Sequence, residues 1–271
     1  MLSIFEAIFL GLLQGITEFF PISSSGHLVL FEFYFGYHPS ELLAFNVAVH
    51  LATLFAVVCY FYTDLKSLAQ GLLQKSDSSM KLLLALVVAT IPVVIAGVFA
   101  GDVFESIVQP NQVAIFMLLT AVLFIGAEYL APKKLIRLNS QRAGYALVVG
   151  LFQVLAMLPG VSRSGSTLAA SMLVGETRSN SARFSFLIAI PAILGAVVYT
   201  LAFKAEAFGN INSLPLLAGF IAAFVSGFFS IKFLMHLYQK HSLKPFAIYL
   251  VILGALLLYQ DPTLLCDCAG P

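Results

Sequence analysis

The chain consists of long apolar stretches separated by short polar ones. A helix needs about 20 apolar residues to cross the hydrocarbon core of a bilayer. Six stretches reach or approach this length, and the last is the shortest: 42–62, 82–100, 113–131, 184–203, 214–237 and 243–259. The pattern predicts an all-α polytopic membrane protein with six transmembrane helices.

Two further apolar stretches, 2–36 and 143–175, are each interrupted by a polar, glycine-rich segment. Each half is too short to cross a membrane comfortably. Polar backbone at membrane depth must be buried in protein or line a cavity. We therefore expect two re-entrant helix-loop-helix hairpins, each entering and leaving on one side.

The two interruptions look like copies of each other. The first hairpin carries GLLQ at 11–14 and PISSSGH at 21–27, and the second carries GLFQ at 150–153 and PGVSRSG at 159–165. Three spans separate the hairpins, so they must enter from opposite faces. This predicts an inverted-topology repeat within one membrane domain, 1–271, with a first half of about 1–131 and a second of about 143–259. In such folds the site lies between the halves, near the midplane.

Composition and charge agree with this class. The chain is 60% hydrophobic and 10% charged, and its net charge of +1 argues against a nucleic-acid partner. Lys and Arg residues concentrate in cytoplasmic loops. The predicted topology puts Lys204 alone on one side of the membrane and Arg163 inside the second loop. Lys232 lies near the other side. That other side, predicted to be cytoplasmic, receives Lys66, Lys75, Lys81, Lys133, Lys134, Arg137, Arg142, Arg178, Arg183, Lys240 and Lys244. Both termini are then expected outside the cytoplasm.

The first hairpin carries a carboxylate at membrane depth. On a helix, Gln14 and Glu18 are four residues apart and share a face with Thr17 beside them. A carboxylate costs about 2.5 to 3.5 kcal/mol at the centre of an inserted helix, which makes it a functional candidate. The alternative is a Glu that bonds its neighbours for structure alone.

The serine run that follows suits phosphate. Ser23, Ser24, Ser25 and Gly26 offer hydroxyl groups and backbone N–H groups that a helix start can aim at one anion. A serine run is equally a flexible turn or a helix cap. His27 favours the functional interpretation, since an imidazole beside a serine can handle its proton.

The second loop carries Arg163 with Ser162, Ser164 and Gly165 around it. A guanidinium suits phosphate oxygens, so we expect Arg163 to bind an anionic ligand. Pairing with Glu18 is the alternative, and the two are compatible if the pair forms in the empty state.

Three polar residues outside the loops receive structural interpretations. Asn46 and His50 share one helix face and could either support the site from behind or pack against neighbouring helices, and we favour packing. Glu128 lies near a span end and is expected at the membrane interface.

These residues resemble a known family. EFFPISSSGH at 18–27 and PGVSRSG at 159–165 are similar to the two signature motifs of bacterial undecaprenyl-diphosphatase of the bacitracin-resistance type. RFSFL at 183–187 and PFAIY at 245–249 look similar too. The resemblance implies hydrolysis of undecaprenyl diphosphate to undecaprenyl phosphate and inorganic phosphate, which recycles the lipid carrier for cell-wall synthesis.

The resemblance also implies roles for single residues. Ser24 falls at the serine proposed as nucleophile, His27 at the catalytic histidine and Arg163 at the phosphate-binding arginine. Direct attack by water is the mechanistic alternative to a phosphoserine. Glu18, with Gln14 as its partner, falls at the pair linked to activity and to a divalent cation, Mg²⁺ or Ca²⁺. Gln14 is the weaker of the two permitted residues for a metal.

The implied setting is the bacterial cytoplasmic (inner) membrane, with a polyprenyl diphosphate lipid as substrate. Bacitracin is expected to compete for that substrate rather than to bind the protein, and a homodimer is left open. The rival function is a polyprenyl-phosphate transporter or flippase, because inverted repeats with broken helices are a transporter architecture.

Overall fold

A computed structural model describes residues 2–107, 109–132, 143–208, 213–238 and 242–260, and these ranges contain helices and no strand. The helices of the first half are α1 (Ile4–Phe19), α2 (Ser24–Tyr34), α3 (Leu43–Tyr60), α4 (Tyr62–Leu73), α5 (Asp77–Glu105) and α6 (Pro110–Leu130). Those of the second half are α7 (Ala143–Leu155), α8 (Arg163–Leu173), α9 (Arg178–Phe203), α10 (Ser213–Leu237) and α11 (Lys244–Gln260). Five of the basic positions used in the charge argument, Lys133, Lys134, Arg137, Arg142 and Lys240, lie outside the described residues.

Within the described residues, five helical stretches are long and apolar enough to cross a membrane: Ser40–Tyr60, Asp77–Gly101, Pro110–Leu130, Arg178–Phe203 and Ser213–Leu237. They match the first five predicted spans. The sixth predicted span forms α11, which is apolar and 17 residues long. Large apolar side chains on these helices face outward, as Val122, Phe229 and Ile248 do, each 60 to 62% exposed. An apolar outer surface of this kind is that of a membrane protein.

Each of the two interrupted stretches forms a pair of short helices. α1 and α2 have 16 and 11 residues, and α7 and α8 have 13 and 11. α1 begins at a capping box, in which Ser3 accepts from the backbone of Glu6 and Glu6 accepts from the backbone of Ser3. It ends just before Pro21, which lacks the N–H that a continuing helix requires.

The two halves exchange their first helices. α1 packs along α10 of the second half, and α7 packs along α5 of the first half. The duplicated glycine makes both contacts close: a Cβ on Gly11 would come 2.3 Å from the Gly219 carbonyl oxygen, and one on Gly150 would come 2.6 Å from that of Ala89. Backbones that approach this closely leave no room for a side chain, so the repeated glycine has the same packing role twice.

Candidate active site

The first loop ends in a capped helix start. Ser23 is the N-cap of α2, and its hydroxyl accepts a hydrogen bond from the backbone N–H of Gly26 at 3.2 Å. Its φ of +71° lies in the left-handed region that favours glycine. Ser24 is therefore the first residue of α2, where backbone N–H groups are unpaired by the helix and the dipole favours an anion.

The second loop repeats this arrangement. Ser162 is the N-cap of α8 and accepts from the backbone N–H of Gly165 at 3.1 Å, with an ordinary φ of −72°. Arg163 is the first residue of α8, at the position that Ser24 holds in α2. The sequence duplication thus corresponds to a duplicated helix start.

The two loops meet inside the protein. A Cβ on Gly26 would come 3.0 Å from the Cα of Gly160, so the loop backbones are almost in contact. The Ser164 hydroxyl donates to the Phe20 carbonyl at 3.2 Å across the same boundary. Thr120 of α6 donates to the Gly160 carbonyl at 3.3 Å and holds the second loop in place. The N-termini of α2 and α8 consequently share one site.

Glu18 is the centre of this site, with a side chain that is 5% exposed. Its Oε2 accepts from Gln14 Nε2 at 2.9 Å and from the Ser24 hydroxyl at 2.7 Å. Its Oε1 forms an ion pair with the Arg163 guanidinium. His50 Nε2 lies 3.8 Å from Oε2. One carboxylate therefore connects the first residues of both inner helices.

A serine of α9 braces Arg163. The guanidinium Nη1 donates to the Ser185 carbonyl at 3.3 Å. The Ser185 hydroxyl donates to the Ser164 carbonyl at 3.3 Å and lies 2.6 Å from the hydroxyl of Thr167. These bonds fix the first turn of α8 against α9.

A cavity of about 320 Å³ opens beside this cluster. Its polar wall includes Glu18, Ser24, Ser25, Asn46, His50 and Arg163. The remaining wall is mostly apolar, with Leu43, Val47, Ala156, Val161, Ile193 and Val197. A pocket that is charged at one end and apolar at the other suits an amphiphile with an anionic head.

A second cavity, of about 390 Å³, adjoins the first and shares Ala192, Ala196 and Thr200 with it. Its other walls are largely apolar and include Val93, Val94, Val98, Phe104, Met157 and Tyr199. Apolar space thus continues from the polar cluster to the gap between α5 and α9.

His27 is not among the residues that line the cavity. Its Nδ1 lies 2.7 Å from the Ser23 carbonyl, which can only accept, so Nδ1 carries the hydrogen. Its Nε2 then accepts from the Tyr249 hydroxyl at 2.7 Å. The hydroxyl of Ser24 donates to Glu18 instead. The expected serine–histidine contact is absent from the described structure, and His27 supports the helix start from behind.

The other residues expected at the site divide into lining and supporting groups. Ser25 lines the cavity. Thr17 is 3% exposed and donates to the Leu13 carbonyl of its own helix at 2.7 Å, which leaves its hydroxyl directed at the backbone. Gln14 is fully buried and reaches the site through Glu18.

The side chains around Glu18 offer few ligands for a metal ion. Among the described residues, no three His, Cys, Asp or Glu side chains lie close enough together to hold an ion. However, Gln14 Oε1 lies beside Glu18 and is buried without a hydrogen-bond partner. Amide and carboxylate oxygens are the ligands that Mg²⁺ and Ca²⁺ prefer. Mg²⁺ is commonly held by one or two carboxylates together with substrate phosphates. The donors thus fit a cation shared with a diphosphate and do not fit an ion held by protein alone.

Comparison with known proteins addresses the family directly. The model of the bacitracin resistance protein BacA family matches residues 7–256. The chain belongs to this family. It is 39% identical over 256 residues to an undecaprenyl-diphosphatase of Bacteroides fragilis, covering 92% of this chain and 95% of the relative. It is 41% identical over 253 residues to that of Desulforudis audaxviator (92% and 95%) and 35% identical over 257 residues to undecaprenyl-diphosphatase 3 of Acinetobacter baylyi (94% and 97%).

Two polar residues of this BacA-family site were misinterpreted from the sequence. Asn46 and His50, expected to pack, line the cavity instead, and His50 donates from Nδ1 to the Asn46 carbonyl at 2.7 Å. Their four-residue spacing was visible, but only the rotation of α3 shows that their face meets Glu18. Their neighbours along the helix are apolar, so the local sequence pattern does not show that this face lines a cavity.

Glu128 was also misinterpreted. Its side chain is 6% exposed, pairs with Arg178 at 2.6 Å and accepts from the Leu243 backbone N–H at 2.6 Å. It therefore joins α6 to α9 and to the start of α11 rather than reaching for the interface. A partner 50 residues away in sequence gives no local signal.

Proposed function

We propose that this chain is an integral-membrane phosphatase that hydrolyses undecaprenyl diphosphate to undecaprenyl phosphate and inorganic phosphate. The relatives named above are undecaprenyl-diphosphatases at 35 to 41% identity over nearly the whole chain. The observation that carries the proposal is Glu18, which binds the Ser24 hydroxyl and the Arg163 guanidinium at one end of an otherwise apolar cavity. A nucleophile, a base and an anion-binding group stand together there.

We further propose that the helices form an inverted-topology repeat of six spans and two re-entrant hairpins in the bacterial cytoplasmic membrane. The exchange of α1 and α7 between the halves and the paired helix starts support a two-fold relation in the membrane plane. The distribution of Lys and Arg supports termini on the outer side. The first loop then enters from the outer leaflet.

The substrate is proposed to bind by its two ends. The diphosphate lies at the N-termini of α2 and α8, where backbone N–H groups, helix dipoles and Arg163 favour negative charge. The first isoprene units occupy the apolar wall and the adjoining cavity. Binding draws Arg163 from Glu18 to the phosphate, so the carboxylate is released for chemistry when substrate arrives.

The chemistry then follows from the hydrogen bonds of the empty site. The Ser24 oxygen attacks the terminal phosphorus while its proton passes to Glu18 Oε2, to which it already donates. A bond from Ser24 to phosphorus forms, the anhydride P–O bond breaks, and undecaprenyl phosphate leaves with the bond electrons. Water next attacks the phosphorus, the Ser24–phosphorus bond breaks, the Ser24 oxygen regains the proton held by Glu18, and inorganic phosphate departs. Arg163 and the helix N-termini stabilise the negative charge on the transferring oxygens.

His27 is assigned a supporting part in this scheme. Through Ser23 and Tyr249 it holds the first turn of α2, and with it the Ser24 hydroxyl. A direct proton transfer by His27 would require its ring to leave both partners.

A divalent cation, Mg²⁺ or Ca²⁺, is proposed to bind with the substrate. Glu18 and the unpartnered Gln14 Oε1 would hold it together with diphosphate oxygens. When bound, the ion neutralises phosphate charge that would otherwise repel Glu18. Bacitracin, on this proposal, lowers activity by removing the lipid diphosphate, so excess substrate should relieve the inhibition.

The deciding experiment measures phosphate release from undecaprenyl diphosphate by purified protein in detergent. With no membrane to cross, a pure transporter or flippase releases none, so release establishes the phosphatase. Denatured reaction mixtures should contain phosphoserine in the wild type and none in Ser24→Ala. Rapid turnover without any trapped phosphoserine would favour direct attack by water.

A further inference from the structure

The apolar cavity beside the proposed active site lies between two facing helices, α5 and α9. Its wall includes Val94, Gly97, Val98 and Gly101 of α5 and Gly195 of α9. Val94 and Val98 are also 48% and 59% exposed on the outside of the protein. Residues that line a cavity and also face outward form its mouth. The cavity therefore opens sideways, between two helices that are long and apolar enough to cross a membrane.

The inner end of the same cavity reaches the polar cluster. Ala192, Ala196 and Thr200 of α9 line both this cavity and the one that contains Glu18 and Arg163. One face of α9 thus runs from the charged groups to the mouth. An apolar passage that joins an anion-binding site to the outer surface fits a ligand with an anionic head and a long apolar chain.

Three glycines line this passage, and neither close packing nor backbone conformation explains them. Glycine destabilises the interior of a helix relative to alanine. Apart from its own helix, a Cβ on Gly195 would meet no described atom within 4 Å, and one on Gly97 would come no closer than 3.8 Å to a side chain. A Cβ on Gly101 would lie 3.5 Å from the Tyr199 hydroxyl, an ordinary contact. None of the three glycines has a left-handed φ, so the effect of the missing side chains is to keep the passage wide.

We propose that the gap between α5 and α9 is the exit through which the prenyl chain passes from the active site into the bilayer. Gly97, Gly101 and Gly195 are then specificity-determining residues, which keep the exit wide enough for that chain. The inference rests on the proposed function for the identity of the ligand. Pockets of about 300 to 1,000 Å³ hold one small molecule, so the cavity takes the first isoprene units and the rest of the chain lies in lipid. The lining residues belong to the carboxyl-terminal halves of both helices, which the proposed topology puts in the outer leaflet.

Steady-state phosphate release tests the width of the exit. Gly195→Leu places a branched side chain in the passage and should raise KM for undecaprenyl diphosphate about tenfold, which corresponds to the loss of about two buried methylene groups. KM for isopentenyl diphosphate should stay unchanged, because its short chain does not reach the exit. Gly195→Ala should keep the wild-type KM for both substrates. Gly126→Leu is the matched control, since a Cβ there also meets no described atom within 4 Å and Gly126 lines neither cavity.

Photo-cross-linking locates the chain without requiring hydrolysis. An undecaprenyl diphosphate analogue with a photoreactive group close to its head should label peptides that contain residues 93–104 and 192–200 of the purified wild type. Labelling should fall in Gly195→Leu and persist in Gly126→Leu. Labels confined to other helices would overturn the proposal, as would a KM for isopentenyl diphosphate that rises as much as that for the long substrate.

Two further arms keep the outcomes separable. If Gly195→Leu does not fold, Gly97→Leu narrows the exit from the opposite wall and should have the same effect on KM and on labelling. A wild type that is labelled at α5 and α9 but releases no phosphate would refute the proposed function and support the exit. A wild type that releases phosphate but is labelled elsewhere would support the proposed function and refute the exit.

Discussion

The two helix starts share their capping bond and differ in the residue that each presents. Ser23 and Ser162 cap α2 and α8 through the same bond to a glycine three residues later, at 3.2 and 3.1 Å. The first helical residue is Ser24 in one and Arg163 in the other, and both contact Glu18. The repeated scaffold therefore fixes where the site lies, and on the proposed mechanism this one changed position decides which half attacks phosphate and which half binds it.

The duplicated glutamines show the same divergence. Gln14 donates to the catalytic-site carboxylate Glu18, whereas Gln153 donates to the Ala89 carbonyl at 3.2 Å. The residue four positions after Gln153 is Met157, so the second half has no carboxylate to match Glu18. On the proposed mechanism, only one half then carries acid–base chemistry, and the other half supports it.

The largest expected effect tests the serine itself. Ser24→Ala removes the proposed nucleophile and should lower kcat by about 10⁴-fold or more. Ser25→Ala, the adjacent serine on the same cavity wall, should cost far less because its hydroxyl neither attacks nor touches Glu18. Phosphate release by the two purified variants makes the comparison, and equal losses would contradict the assignment.

The next effect tests the residue that replaces serine in the second loop. Arg163→Ala should lower kcat/KM by about 10³-fold, because it removes the anion clamp of the transition state. Arg183→Ala removes an exposed arginine paired with Asp64 and should remain close to the wild type. A near-normal Arg163→Ala would mean that its bond to Glu18 is structural only.

Removal of the cation should have a smaller, reversible effect. A chelator is expected to lower activity at least about tenfold, with recovery on addition of Mg²⁺ or Ca²⁺. Gln14→Ala should raise the Mg²⁺ concentration required for half-recovery, and its duplicate Gln153→Ala should leave that concentration unchanged. Full activity in chelator would remove the metal from the proposal.

The smallest effects concern the two N-cap serines, whose replacement by Gly should shift the melting temperature in opposite directions. Gly at an N-cap costs a few tenths of a kcal/mol relative to Ser, while relief of a left-handed φ gains about 1 kcal/mol or more. Ser23→Gly, at φ +71°, should therefore raise the melting temperature, and Ser162→Gly, at φ −72°, should lower it slightly. Thermal unfolding in one detergent would measure both, and shifts of the same sign would contradict the strain argument.

Much of this arrangement could be predicted from the sequence. The broken apolar stretches and their repeated Gln, Ser and Gly positions indicated two helix starts that share a site, and the span lengths indicated the long helices. Local patterns contain this information because hydropathy and caps act over a few residues.

The interpretations that the structure contradicts depend on the rotation of a helix about its axis and on partners that are distant in sequence. The spacing of Asn46 and His50 is the same for a packed face and a cavity wall, and only tertiary packing distinguishes the two. His27 was assigned to Ser24 because they are neighbours in sequence, but its ring meets Tyr249 of α11, 222 residues away. Helix orientation decides which of several adjacent polar side chains enters a cavity. The local sequence does not contain this information.

The exchange of α1 and α7 has a consequence for biosynthesis. α1 leaves the ribosome almost two hundred residues before α10, to which the surface that receives Gly11 belongs. The newly synthesised amino-terminal half therefore lies in the membrane without the helix that packs against Gly11 until α10 is made. A chain that stops before α10 cannot complete its first loop, and we expect such fragments to be cleared by membrane proteases rather than to accumulate.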